Sequence, residues 1–188
     1  MLEQSDLTKD LKTGLRKRIR QLKREITLEE KIRRSSAIWS KVLALDAVKN
    51  ARTVLMYWSM DDEVYTHAIV QDLAKTKTVL LPAVDGDDLR IKQFRGMENM
   101  RAGEQFGIGE PTGHDFDGTI DVIVVPGVAF DRQLNRMGRG RGFYDRLLRL
   151  QNAVKIGVAF DFQLLDNIPA EPFDIKMDCV VTESEKVI

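Results

Sequence analysis

The sequence predicts an α/β fold, a single-domain three-layer α/β/α arrangement with a mostly parallel sheet and two N-terminal helices. Three observations carry that prediction. From residue 53 onward, short runs rich in Val, Ile and Leu alternate with helical patterns, the order expected of βαβ units. The run Ile120-Asp121-Val122-Ile123-Val124-Val125-Pro126 is apolar at nearly every position, as a strand covered on both faces must be. The residues before 45 keep a helical period.

In the first helix Leu7, Leu11, Leu15, Ile19, Leu22 and Ile26 recur at spacings of four or three and make one apolar stripe. Lys12, Arg16, Arg20 and Lys23 run beside it. Arg20 and Lys23 read as a solvated flank, whereas Lys12 and Arg16, one turn apart, present two cations from one face. Thr27-Leu28-Glu29-Glu30 has the Thr-x-x-Glu form of a capping box, so a second helix starts at Thr27. It runs through Ile32, Ile38, Val42 and Leu43, with Trp39 as a packing residue. A strand over 53–58 follows, then a helix over 66–75 and a strand over 78–82. Strict alternation over 89–94 predicts a half-exposed strand, and 95–119 reads as irregular. After strand 120–126 come a glycine loop, a helix over 144–150, a strand over 154–159, a turn-rich stretch over 161–176 and a closing strand over 179–182. Residues 1–188 read as one domain.

At 188 residues the chain buries roughly 70% of the surface its unfolded form exposes, enough to stand without staples. Its lone cysteine, Cys179, excludes an intramolecular disulfide and fits a reducing compartment. The leading residues are polar, and no apolar run approaches the ~20 residues of a membrane span, so the reading is a cytoplasmic protein without a membrane partner. Net charge is zero but unevenly spread: residues 1–41 hold twelve Lys/Arg against six Asp/Glu, and 83–121 hold four against nine. With aromatics at only 7%, stacking platforms for single-stranded nucleic acid are not expected. A site for a small polyanion accounts for the asymmetry better.

The candidate is Asn135-Arg136-Met137-Gly138-Arg139-Gly140-Arg141-Gly142-Phe143-Tyr144-Asp145. Glycine lets backbone approach a ligand, and arginine presents a planar fork of donors suited to phosphate oxygens. The loop follows the central strand, and ligands of open α/β sheets bind beyond the carboxyl ends of strands. Walker A is absent, and a dinucleotide fingerprint is excluded because the loop runs Gly-x-Gly-x-Gly and starts about a dozen residues late. His67 and His114 read as isolated surface residues, and no nucleophile–base pair is visible. Asp145 serves either as a Mg²⁺ ligand or as a counter-ion for its arginine neighbours.

Val125-Pro126-Gly127-Val128-Ala129-Phe130-Asp131, followed by that loop, resembles the 5-formyltetrahydrofolate cyclo-ligase family. Lys12 and Arg16 are similar to its N-terminal Lys-x-x-x-Arg. Tyr57-Trp58-Ser59-Met60-Asp61-Asp62-Glu63-Val64-Tyr65-Thr66 resembles its motif ending in Glu-x-x-Thr. Phe106-Gly107-Ile108-Gly109-Glu110-Pro111, Ala159-Phe160-Asp161-Phe162-Gln163 and Asp174-Ile175-Lys176-Met177-Asp178 agree in order. Met137 stands where Leu is usual and Phe143 where Tyr is usual, while Arg139 and Arg141 replace the Tyr and Gly common in bacterial members.

The resemblance implies ATP- and Mg²⁺-dependent conversion of 5-formyltetrahydrofolate into 5,10-methenyltetrahydrofolate; a monomer without a nucleic-acid partner is expected beside it. It implies that Lys12, Arg16, Arg136, Gly138, Arg139, Gly140, Arg141, Gly142, Phe143 and Tyr144 surround ATP. Arg136, Arg139 and Arg141 would act on the reacting phosphoryl group, and Asp145 and Asp174 would hold Mg²⁺. Trp58, Glu63, Arg139 and Phe143 would contact the folate. Whether Arg139 and Arg141 reach the phosphoryl group or the folate's glutamate tail stays open. Rival readings are another phosphate-handling α/β enzyme, such as a sugar-phosphate isomerase or acyl-CoA transferase, and a nucleotide or RNA binder built on residues 9–34.

Overall fold

A computed structural model describes residues 2–103, 105, 107–171 and 174–188, with side chains from residue 8 onward. Three helices lead: α1 (Leu2–Arg24), α2 (Leu28–Ala44) and the short α3 (Asp46–Asn50), which has too few residues to show a period in sequence. Next come β1 (Thr53–Leu55), α4 (His67–Leu73), β2 (Thr78–Asp85) and β3 (Asp88–Gln93). The stretch 95–119, expected to be irregular, contains a hairpin, β4 (Met100–Ala102) and β5 (Gly109–Pro111), whose three-residue strands are too short for alternation to register. The chain then runs through β6 (Val122–Pro126), β7 (Ala129–Asp131), β8 (Arg136–Met137), α5 (Phe143–Arg149), β9 (Val154–Val158), β10 (Leu164–Leu165), β11 (Cys179–Val181) and β12 (Lys186–Val187).

Thr27 caps α2 as its sequence predicts, its hydroxyl accepting from the Glu30 N–H at 3.2 Å. Only half of the capping box forms, because the Glu30 carboxylate takes Arg33 and Arg34, each at 2.7 Å. Along α1, Ile19 is buried and Leu15 and Leu22 partly so, but Leu11 is 54% exposed. The stripe therefore packs only along its C-terminal half; Leu7 lies outside the residues whose side chains are described.

The main sheet has the order β12-β11-β9-β6-β1-β2-β3, with antiparallel edges β12 and β3 and parallel pairs between. Its buried strands alternate between two apolar layers. Val54, Met56, Leu81, Val124 and Ile156 face a cluster holding Ile38, Trp39 and Val42 of α2 and Val70 of α4. Leu55, Leu80, Ile123, Val125 and Val180 face the other way, against Leu147 and Leu148 of α5. Three layers result, as the near-continuous apolar runs require. Helices α4 and α5 cross on opposite faces, so the parallel order reverses between β1 and β6. That reversal is the topological switch point of the sheet.

β1 ends at Leu55, three residues before the strand expected from sequence. Met56 still donates to the Leu80 carbonyl at 2.9 Å, and the chain then leaves the sheet. From there Ser59 and Thr66 replace the ladder: each backbone N–H donates to the other's hydroxyl, at 2.9 and 3.1 Å.

The dozen residues between β6 and the glycine loop are taken up by the β7–β8 hairpin, part of a small sheet ordered β10-β7-β8. Buried Asp131 holds its turn. One carboxylate oxygen accepts from the backbone N–H groups of Gln133 and Asn135, each at 2.9 Å. The other accepts from the Asn135 amide at 2.9 Å and the Ile168 N–H at 3.1 Å. Leu134 takes a left-handed φ of 68° inside this clamp. Asp131→Ala should lower stability by about 3 kcal/mol in urea denaturation, because it strands buried donors. Asp166→Ala, at a side chain 91% exposed, should shift stability by less than about 0.5 kcal/mol.

Candidate active site

A cleft of about 300 Å³ opens at the carboxyl ends of β1 and β6, at the switch point. Trp58, Glu63, Arg136, Gly138, Arg139, Arg141, Gly142, Phe143, Tyr144 and Asp145 all line it. Most of its wall is apolar, with Met60, Pro82, Val84, Leu89 and Ile108 facing the loop arginines. Lys12, Arg16, Gly140 and Asp174 stand outside that wall.

The wall at residues 57–66 is held by α2. Ser35 and Trp39, one helical turn apart, take the two backbone groups of Tyr65: its N–H donates to the Ser35 hydroxyl at 3.0 Å, and its carbonyl accepts from the Trp39 indole at 2.6 Å. Trp39 is thus both packing and strut. The Tyr57 hydroxyl donates to the Val64 carbonyl at 2.9 Å, and the Met60 N–H donates to Glu63 Oε2 at 3.0 Å. Glu63 is therefore fixed with its carboxylate in the cleft. Burial, then the Glu63 charge, pushes the hydroxyls of Tyr57 and Tyr144 above the ordinary tyrosine value, so both stay protonated.

The opposite wall is the glycine loop. Gly140 and Gly142 have φ of 102° and 72°, conformations that L side chains rarely adopt. Arg16 donates through Nε to the Gly138 carbonyl at 3.0 Å, so α1 buttresses the loop from outside. Arg136, only 3% exposed, reaches Asp145 Oδ1 at 2.5 Å and lies over the Tyr144 ring at 5.6 Å. Among the described residues its Nε, a buried donor, has no hydrogen-bond partner. Lys12 meets Glu171 at 2.9 Å and Asp174 at 3.4 Å. Among the described residues no three His, Cys, Asp or Glu side chains gather as a metal cluster. Asp145 and Asp174 each face a loop or α1 cation, with one carboxylate oxygen in the pair.

A chain of charges joins the walls. Lys23 reaches Asp62 at 3.4 Å, Asp62 reaches Arg139 at 2.5 Å, and Arg139 reaches Glu63 at 3.1 Å. Lys23 is not the solvated lysine expected from sequence, since its side chain is 5% exposed. Burial lowers its ammonium pKa, against the opposing carboxylates Asp62 and Glu63. At Asp62 burial works upward, but Lys23 and Arg139 outweigh it and hold the carboxyl below its ordinary value.

His67 is likewise not isolated. Its ring stacks on Trp58, with centroids 4.0 Å apart and 11° between planes. Arg20 and His114 are exposed, as expected. Met60 and Asp62 lie inside the 57–66 motif and Leu89 inside the alternating strand, but none of the three carries a site signal in sequence; the fold brings them, with Lys23, to the cleft or its rim. Glu110, within the 106–111 motif, is buried, lines the cleft and accepts from the Val84 N–H at 3.2 Å. Phe106 of that motif lies outside the described residues.

Fold and site together define an α/β enzyme whose cleft, walled by a basic glycine loop, opens at the switch point of a parallel sheet. The family model described as the 5-formyltetrahydrofolate cyclo-ligase family matches residues 8–183. The chain belongs to the 5-formyltetrahydrofolate cyclo-ligase family. It is 30% identical to the 5-formyltetrahydrofolate cyclo-ligase of Mus musculus, over 92% of this chain and 93% of that one. With the enzyme of that name from Mycolicibacterium smegmatis it shares 36% identity, over 74% and 77% of the two chains. The NMR structure of Aquifex aeolicus 5,10-methenyltetrahydrofolate synthetase superposes with a TM-score of 0.85 at 34% identity, covering 94% of this chain and 91% of that one.

The Asp62 link predicts an acid-labile contact. A carboxylate whose folded pKa is depressed contributes stability that is present above its unfolded pKa and lost as pH falls through the folded one. The stability gap between wild type and Asp62→Asn should thus be flat from about pH 7 to about pH 5 and close below about pH 4. Urea titrations across that range check it, and a gap that persists in acid would remove the ion pair as its cause.

Proposed function

We propose that the protein converts 5-formyltetrahydrofolate into 5,10-methenyltetrahydrofolate, consuming ATP with Mg²⁺ and releasing ADP and phosphate. The observation that carries this reading is the two-sided cleft: an apolar wall with Trp58 and a fixed Glu63 carboxylate faces a glycine loop bearing Arg136, Arg139 and Arg141. One wall suits a flat ring with N–H donors, and the other suits phosphate oxygens.

The chemistry needs both walls. Closing a ring between N5 and N10 of the folate expels the formyl oxygen, a poor leaving group on its own. ATP with Mg²⁺ supplies a phosphoryl group that makes that oxygen a good one. Trp58 and Phe143 form the apolar seat for the folate, while Glu63 accepts from its N–H groups and fixes its rotation. The same pose aims the formyl oxygen at the loop, where orientation alone lowers the barrier. Arg136 is pre-aimed, with its Nε unsatisfied and its charge shielded from water, so it stabilises developing negative charge at little reorganisation cost. Arg139 and Arg141 add charge at the rim, and Arg16, Lys12 and the loop backbone from Gly138 through Gly140 and Gly142 to Tyr144 complete the nucleotide's surroundings.

Asp145, in the cleft wall, and Asp174, outside it, would each supply a carboxylate to a metal that takes one or two of them plus substrate phosphates, a demand that needs no three-residue cluster. Each would exchange an intramolecular cation for the ion. This reading also takes residues 1–188 as one cyclo-ligase domain, acting as a monomer in the cytoplasm without nucleic-acid or membrane partners. Among the described residues no helix is long and apolar enough to cross a membrane.

Absorbance monitoring of methenyltetrahydrofolate tests the reaction: product should form only with 5-formyltetrahydrofolate, ATP and Mg²⁺ together. Turnover without ATP would overturn it. Asp145→Asn should cut turnover at least tenfold and raise the Mg²⁺ concentration for half-maximal rate, with thermal unfolding as the check on the fold (tenfold is about 1.4 kcal/mol). An unchanged Mg²⁺ requirement would leave Asp145 as the counter-ion of Arg136 alone.

The two walls should separate in binding. Loss of one charged hydrogen bond costs about 1.5–3 kcal/mol, roughly 10- to 150-fold in affinity. Glu63→Gln should weaken 5-formyltetrahydrofolate by an amount in that range and spare ATP. Lys12→Ala with Arg16→Ala should do the reverse. Separate calorimetric titrations decide, and equal weakening of both ligands in either variant would indicate a folding defect.

A further inference from the structure

His67 opens α4, and its ring lies flat against Trp58 at 4.0 Å. Its Nε2 is 3.1 Å from the Ser59 carbonyl. A carbonyl only accepts, so Nε2 carries the hydrogen and Nδ1 of the neutral ring has none. Tyr65 presses on the same imidazole, with centroids 4.8 Å apart at 51°. Ser59 is itself locked by its paired bonds with Thr66, so the histidine hangs from a rigid frame. The Trp58 indole is also bounded by Phe94, at 6.0 Å, and by strand β5, where a Cβ on Gly109 would stand 3.0 Å from the indole nitrogen. What is left of its surface lines the cleft.

We infer that His67 is a positioning residue: it sets the plane of the Trp58 indole for the flat ligand and makes the affinity for that ligand depend on its own proton. The inference rests on the proposed function, in which Trp58 seats the folate. Among the described residues the ionisable groups that face the imidazole are Lys31 of α2, Asp61 of the 57–66 loop and the Tyr65 phenol, with the Ser59 carbonyl and the Trp58 indole beside them. Burial lowers the histidine pKa below its ordinary value, the Ser59 carbonyl opposes this, Lys31 adds to it and Asp61 works against it. At neutral pH the ring is therefore uncharged.

A proton on Nδ1 would place a positive charge against one face of the indole. That draws electron density from the indole whose remaining surface lines the cleft, and so weakens its hold on the ligand. The product of the proposed reaction is an imidazolinium cation, which the same charge repels. Affinity is thus full above the histidine pKa and falls below it.

Trp58 fluorescence reads the proton directly, because protonated imidazole quenches a stacked indole. Of the two tryptophans and two histidines in the chain, His67→Phe keeps the stack but cannot titrate, and His114→Gln is the control. Wild type and His114→Gln should lose emission on acidification with one midpoint below about 6.5, the ordinary histidine value, while His67→Phe stays flat. Calorimetry with 5-formyltetrahydrofolate should show the wild-type affinity falling about two- to tenfold across that midpoint, and His67→Phe showing no such fall. His67→Ala should bind about two- to tenfold more weakly at neutral pH and leave ATP affinity unchanged. A His67→Phe protein that keeps the wild-type midpoint, or a wild type that binds the folate with a flat profile, overturns the inference. A wild type that binds no folate at any pH overturns the functional reading instead.

Discussion

The placement of the glycine loop depends on one buried carboxylate. Asp131 sits at the end of β7 and accepts four hydrogen bonds, three from the turn that follows and one from Ile168. Those bonds turn the chain back on itself, so that β8 returns antiparallel to β7 and delivers Arg136 to the end of β6. A charge inside protein is costly unless hydrogen-bonded, and here each oxygen takes two donors. The small sheet is held at its other side by Gln163, whose amide donates to the Gly127 and Val128 carbonyls, both at 3.0 Å. Both side chains act on backbone, and both act next to the cleft.

Much of this organisation was legible in the sequence, and the reason is periodicity. The buried strands and α2 have patterns that a burial rule can read, and the glycine loop is conspicuous by composition. The resemblance extended that reading to positions such as Trp58 and Glu63, which line the same cleft as the loop. What stayed hidden depends on distant partners. Lys23 reads as a flank because nothing near it in sequence says that Asp62 will lie within 3.4 Å. His67 reads as isolated because its neighbours Trp58 and Ser59 lie across a loop. The β4–β5 hairpin and α3 escaped because three to five residues cannot express a period. The early end of β1 was invisible because its residues are as apolar outside the sheet as within it.

The electrostatics of the site share one theme. Arg136, Arg139 and Lys12 are each matched to a carboxylate: Asp145, the Asp62 and Glu63 pair, and the Glu171 and Asp174 pair. Each intramolecular acid occupies a cation that the proposed function assigns to phosphate. Cations crowded at one cleft would otherwise repel one another, and the acids relieve that without neutralising the site permanently. An incoming polyanion competes with carboxylates on short tethers, which limits the hold of weak anions.

The grip of α1 on the rest of the chain has a consequence for biosynthesis. Lys12 pairs with residues 159 and 162 positions further on. A ribosome adding about 5–20 residues per second therefore finishes the first helix some 8 to 30 s before its partners exist. During that interval Ile19 and Leu22 have no apolar surface of this sheet to cover them, because β7, β8 and the segment at Ile168 that pack there are still unmade. The helix that buttresses the glycine loop is thus made long before the elements it packs on and is among the last to dock, and a nascent chain stalled before β7 carries an exposed amphipathic helix of the kind that chaperones bind.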